Sequence, residues 1–194
     1  MPREAAAPLA GVPLLVLGLG NTLCTDDGAG PFVVERLLAR WEPPVGVRVL
    51  DGGTLGLSLL PLVADAEAVI LLDAVRVGDA PPGTLVRLTG EDVPTATRHQ
   101  LSVHQIGVAD LLDGLQLLGK LPPRLVLLGV VPESLELGYG VGAAVRPALD
   151  VLAERTVEEA ATLGFRFRPR EEDHAALPRL LSPAGAPSRI AEAL

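Results

Sequence analysis

The chain has 194 residues, 48% of them hydrophobic, and a formal net charge of −8. This length suits one domain with a substantial core rather than two, and the acidic balance argues against a general nucleic-acid binder, which needs a basic surface. The single Cys24 excludes a disulfide framework and a thiolate metal cluster, while the lack of any apolar run near the ~20 residues of a bilayer span, or of a signal peptide in Met1 to Gly11, points to a cytoplasmic protein without a membrane partner.

The first predicted element is a buried strand, Leu14 to Leu17, a continuous apolar run of the kind a central parallel strand needs. It leads into the most informative stretch of the chain, Gly18 to Gly30, in which glycines surround Asp26 and Asp27 just before a helix with Pro31 in its first turn. Open α/β sheets place their sites in such loops, at the carboxyl ends of strands. The glycines do not make a dinucleotide fingerprint, because the third glycine of that motif would have to stand where Leu23 is. The two carboxylates would also repel a phosphate and instead favour a cation. A nucleotide-dependent enzyme is therefore disfavoured.

Downstream, helical and strand periods alternate. Phe32 to Trp41 reads as a helix and Val45 to Leu50 as a second strand, ended by Asp51-Gly52-Gly53-Thr54. Thr54 is an N-cap candidate for a helix over Leu55 to Ala64, and Asp51 reads as a turn-stabilising aspartate. Val69 to Leu72 is apolar enough for a central strand, and Asp73 comes directly at its end. Gly83 to Leu88 follows too closely for a helical crossover, which predicts antiparallel pairing. His104 to Leu118 reads as a helix, Leu125 to Val130 as a last strand and Ala143 to Leu163 as a long helix. The expected fold is α/β: a three-layer α/β/α sandwich with a mixed, mostly parallel five-stranded twisted sheet. The expected domain is 13–167, between a flexible 1–12 and a mobile, proline-rich tail over 168–194.

Asp27, Asp73 and His104 each fall at an element end, so two carboxylates and an imidazole can meet on one rim. That ligand set suits nickel or zinc. Each residue also has an ordinary reading: Asp27 as a helix-capping carboxylate, Asp73 as a strand-end charge that needs some partner, and His104 as a first-turn residue with a satisfied ring. Cys24 reads equally as packing or chemistry, and no Gly-x-Ser-x-Gly or His-Glu-x-x-His motif indicates a serine triad or an ordinary zinc protease.

At these residues the chain resembles the hydrogenase maturation endopeptidases, which trim the C-terminal extension from the large subunit of nickel-iron hydrogenases. The resemblance runs over about residues 13–165 and rests on the order and spacing of five blocks. They are Gly18-Leu19-Gly20-Asn21 with Thr25-Asp26-Asp27-Gly28, Asp51-Gly52-Gly53-Thr54, Leu72-Asp73-Ala74, Ser102-Val103-His104-Gln105, and Gly129-Val130-Val131-Pro132-Glu133-Ser134-Leu135-Glu136. It implies a mixed sheet between helices and a site in which Asp27, Asp73 and His104 are catalytic and recognise nickel already inserted into the substrate. Members often carry glutamate at the first position, so Asp27 is a shorter ligand. The implied partner is the hydrogenase large-subunit precursor, processed by a monomer, with the nickel either assisting hydrolysis or acting as a positional key. The loop from Pro132 to Glu136 would face the substrate, whereas His99 and His174 gain no support from the resemblance. A second class stays open: a metal-dependent maturation chaperone that docks on the precursor without cutting it.

Overall fold

The computed structural model describes residues 12–90, 92–94 and 106–170. A five-stranded sheet is formed by β1 (Val12–Leu19), β3 (Val47–Gly53), β4 (Ala66–Ala74), β5 (Leu85–Thr89) and β6 (Arg124–Val130), in the order β3-β1-β4-β6-β5. β1 pairs in parallel with β3 and β4, and β4 in parallel with β6, so β4 is the central strand its composition predicts. β5 runs antiparallel to β6, with Leu85 opposite Val130, as its short connection requires.

Because side chains alternate along a strand, β1, β4 and β6 each divide their apolar residues between two faces, and both faces are covered. Leu14, Val16, Ile70, Leu72, Val126 and Leu128 pack against α1 (Ala29–Arg40) and α4 (Arg146–Thr162). Leu15, Leu17, Val69, Leu71, Leu125 and Leu127 pack against α2 (Leu60–Ala64) and α3 (Ile106–Leu117). The result is the expected three-layer sandwich. Ion pairs between α1 and α4, Arg36 to Asp150 at 2.7 Å and Arg40 to Glu154 at 3.1 Å, are half-exposed and add little to that packing.

Several boundaries differ from the sequence reading. β3 begins at Val47 and runs through Asp51 to Gly53, because parallel pairing with β1 continues past the apolar run. Thr54 does not cap a helix: a 3-10 turn, Gly56–Leu59, intervenes before α2, and its N-cap, Leu55, makes no side-chain cap bond. Helix α1 ends at Arg40, where Trp41 turns extended and starts β2 (Trp41–Glu42). β2 pairs antiparallel with β7 (Arg168–Pro169), and Arg170 donates its backbone N–H to the Arg40 carbonyl and its Nε–H to the Leu38 carbonyl, each at 2.8 Å. Arg168 to Arg170 thus belong to the folded body, not to the tail; residues 171–194 lie outside the described residues.

One backbone approach fixes how α1 meets the sheet. A Cβ on Gly30 would come within 2.2 Å of the Leu72 carbonyl oxygen and 2.3 Å of that of Leu19. Only glycine lets the start of α1 rest on the ends of β1 and β4. The glycines that resemble a nucleotide loop thus serve close strand–helix packing. Gly30→Ala should destabilise the protein by about 3 kcal/mol or more, since the clash is with backbone. Gly114→Ala, inside α3 and facing the movable side-chain tips of Leu60 at 3.1 Å and Leu57 at 3.5 Å, should be neutral or stabilising by up to ~1 kcal/mol. Urea unfolding of both variants checks the contrast.

Candidate active site

Four parallel strands end on the same edge of the sheet, and their carboxyl ends carry the loops in which the sequence places its candidates. After β1, Asn21 to Cys24 make a turn, and Thr25 to Gly28 form a 3-10 turn that runs into α1. Thr25 adopts a φ of 44°, a left-handed conformation that a threonine holds only when its surroundings fix it. Here they do: its N–H donates to the Gly138 carbonyl at 2.7 Å, and its hydroxyl donates to the Ser134 carbonyl at 2.7 Å.

Asp26 and Asp27 are both buried, yet they do different work. The Asp26 carboxylate turns toward the loop after β6. Its Oδ2 accepts from the N–H groups of Glu133 at 2.8 Å and Ser134 at 3.1 Å, and its Oδ1 from that of Gly142 at 2.6 Å. Nothing local in the sequence assigns this role, because every partner lies more than a hundred residues away. The Asp27 Oδ2 accepts from the Asn21 N–H at 2.8 Å, while Asn21 Oδ1 accepts from the Leu23 N–H at 3.0 Å. Asp27 is therefore not a helix cap: the N-cap of α1 is Gly28, without a side-chain cap bond.

Asp73 stands next to last in β4 and is 4% exposed. Its Oδ1 accepts from the N–H of Ala74 at 2.8 Å. Burial, and after it the nearby charge of Asp27, hold the Asp73 carboxyl well above the usual carboxylate range, against the lowering effect of that hydrogen bond. The fold thus brings Asp27 and Asp73 into electrostatic contact. His104 and Gln105 lie outside the described residues, as do His99 and His174. Among the described residues no group of three His, Cys, Asp or Glu side chains forms a metal site. The two carboxylates nevertheless fit a divalent cation, since a buried like-charge pair is relieved by positive charge, and oxygen donors suit such an ion.

The remaining candidates are placed as follows. Asp51 is a turn former, its Oδ1 accepting from the Gly53 N–H at 2.8 Å. Cys24 is buried beside Gly138 in a one-residue parallel bridge, so packing accounts for its position. Glu133 and Glu136 stand on the loop that Asp26 holds; the N–H of Glu136 donates to Ser134 Oγ at 3.2 Å.

Two outcomes follow from these geometries. Asp26→Asn replaces an acceptor oxygen by an amide that cannot accept from the facing N–H groups, and should cost roughly 1–3 kcal/mol in chemical unfolding. Asp73→Asn should raise the melting temperature of the metal-free protein at neutral pH. The sign follows from the raised folded-state value: the acid's contribution to stability is full below its unfolded value and is lost as pH rises through the folded one. The advantage of the amide should accordingly shrink as pH falls toward the usual carboxylate range, which a pH series of melting curves measures.

Comparison with known proteins assigns this architecture. The sequence profile of the hydrogenase maturation protease family HycI matches residues 31–159, a span that begins just after Asp27 and includes the positions of Asp73 and His104. The Hydrogenase 2 maturation protease of Escherichia coli K12 is 38% identical over 161 residues, covering 83% of this chain and 98% of the relative. The hydrogenase expression/formation protein HupD of Rhodobacter capsulatus is 43% identical over 148 residues, 76% of this chain and 69% of the relative. The solved structure of the hydrogenase maturating endopeptidase HybD from E. coli superposes with a TM-score of 0.77 at 38% identity, over 81% of this chain and 97% of that one. On the family profile, these relatives and the shared fold, the chain belongs to the hydrogenase maturation protease family and is a peptide-bond hydrolase.

Proposed function

We propose that this protein removes the C-terminal extension of a nickel-iron hydrogenase large-subunit precursor in the cytoplasm, and that Asp27, Asp73 and His104 recognise nickel already inserted into that substrate. The observation that carries the reading is the buried carboxylate pair. Burial and the charge of Asp27 hold the Asp73 carboxyl well above the usual carboxylate range, a cost that the site bears until a cation compensates it. A metal-loaded precursor supplies that cation, whereas an unloaded precursor leaves the buried pair uncompensated, so cleavage would follow metal insertion.

The chemistry divides between substrate and enzyme. Nickel carried by the substrate supplies Lewis acidity near the scissile carbonyl. On its approach Asp73 gives up its proton, as a carboxyl ligand must. Asp27 is oriented by the N–H of Asn21. One of the two carboxylates then serves as the base for the attacking water. No helix among the described residues is long and apolar enough to cross a membrane, which accords with action on a precursor in the cytoplasm.

The test is a mass measurement on nickel-loaded precursor after incubation with the protein. The expected result is a precursor shortened by its C-terminal peptide, with no shortening of nickel-free precursor. An intact precursor in a stable complex would instead identify a docking module. Asp27→Asn and His104→Ala should each slow cleavage about 10²-fold or more; a variant that processes at the parental rate removes that residue from the site.

A further inference from the structure

The loop after β6 does more than close the fold: it sets large apolar side chains beside the carboxylates. Gly138 pairs in parallel with Cys24, its N–H donating to the Leu23 carbonyl at 2.9 Å and its carbonyl accepting from the Thr25 N–H at 2.7 Å. Side chains alternate across such a ladder. Cys24 is buried, whereas Leu23 before it is 61% exposed, and Leu137 and Tyr139, which flank Gly138, are 88% and 79% exposed. Leu23 and Leu137 each come one residue before the bridge. The Tyr139 ring meets Phe32 edge-on at 5.8 Å, which fixes it without covering it.

The patch is continuous with the carboxylate loop, since the Asp27 N–H donates to the carbonyl of Cys24 at 3.0 Å. It is also preorganised, because Asp26 ties the same loop through Glu133, Ser134 and Gly142. A rigid apolar surface costs little ordering entropy when it binds, and an aromatic ring with a polar tip is a common anchor. Exposed apolar residues grouped in this way mark an interaction surface. In a peptide-bond hydrolase, the chain that passes beside the catalytic loop is the substrate.

Resting on the processing reading above, we infer that Leu23, Leu137 and Tyr139 form a shelf that binds an apolar stretch of the precursor next to its scissile bond, and so determine specificity. The shelf acts in binding and not in bond breaking. Its signature is a change in KM without a change in kcat.

The experiment measures cleavage of nickel-loaded large-subunit precursor by the full-length protein and by two variants, the double substitution Leu137→Ser with Tyr139→Ser, and Leu23→Ser on the opposite strand. Leu117→Ser is the control: Leu117 is equally exposed, at 88%, but it ends α3 at the amino edge of the sheet, where β6 begins. Both shelf variants should raise KM, the double one about tenfold or more, with kcat and the melting temperature unchanged and the control indistinguishable from the parent. An unchanged KM in both variants, or a fall confined to kcat, overturns the shelf while leaving the processing reading intact. Failure of the parent protein to cleave overturns the processing reading itself, and the shelf with it.

Discussion

The carboxyl edge of the sheet depends on a single buried carboxylate, that of Asp26. A side chain removed from water must find partners for its oxygens, and Asp26 finds three backbone N–H groups, all on the segment after β6. Backbone donors in an irregular loop carry the same obligation, so each side satisfies the other. The result ties the first loop of the chain to the last, across the central strands. Thr25, held at a positive φ by bonds to Gly138 and Ser134, is part of the same arrangement. Its strain persists because the surrounding contacts over-determine it.

While Asp26 takes this structural role, the neighbouring Asp27 accepts from the Asn21 N–H and lies near Asp73. The close approach of α1 to the ends of β1 and β4, which Gly30 permits, brings Asp27 toward Asp73. There burial and the charge of Asp27 hold the Asp73 carboxyl well above the usual carboxylate range. Perturbed acids of this kind cluster at functional sites, and structural networks also make them. Under the reading proposed above, the nickel carried by the substrate would offset the cost of this pair. Stability and selectivity would then be set by the same two side chains.

Much of the architecture was legible because it follows from local rules. The unbroken apolar runs of β1, β4 and β6 require burial on both faces, and the short link before β5 forbids a parallel crossover; the sheet bears out both. The misplacements are equally physical. Thr54 looked like a cap because its residue type prefers that position, but the chain enters α2 through a 3-10 turn. Arg168 to Arg170 looked like tail because they follow the last periodic helix; in fact they add a short antiparallel pair to Trp41 and Glu42. Pairing of two residues with a partner so distant leaves no periodic trace.

By itself, the sequence determined the fold class, the edge on which the site lies, and the candidates Asp27 and Asp73, since hydrophobic period and strand ends are local properties. It also carried the family, through the order and spacing of its motifs. Tertiary structure decided how the adjacent aspartates divide their roles, and it coupled Asp27 to Asp73. It also turned Leu23, Leu137 and Tyr139 outward on a rigid ladder. These outcomes depend on which backbone donors and charges arrive from distant parts of the chain, more than a hundred residues away for the partners of Asp26, and no local pattern encodes that arrival.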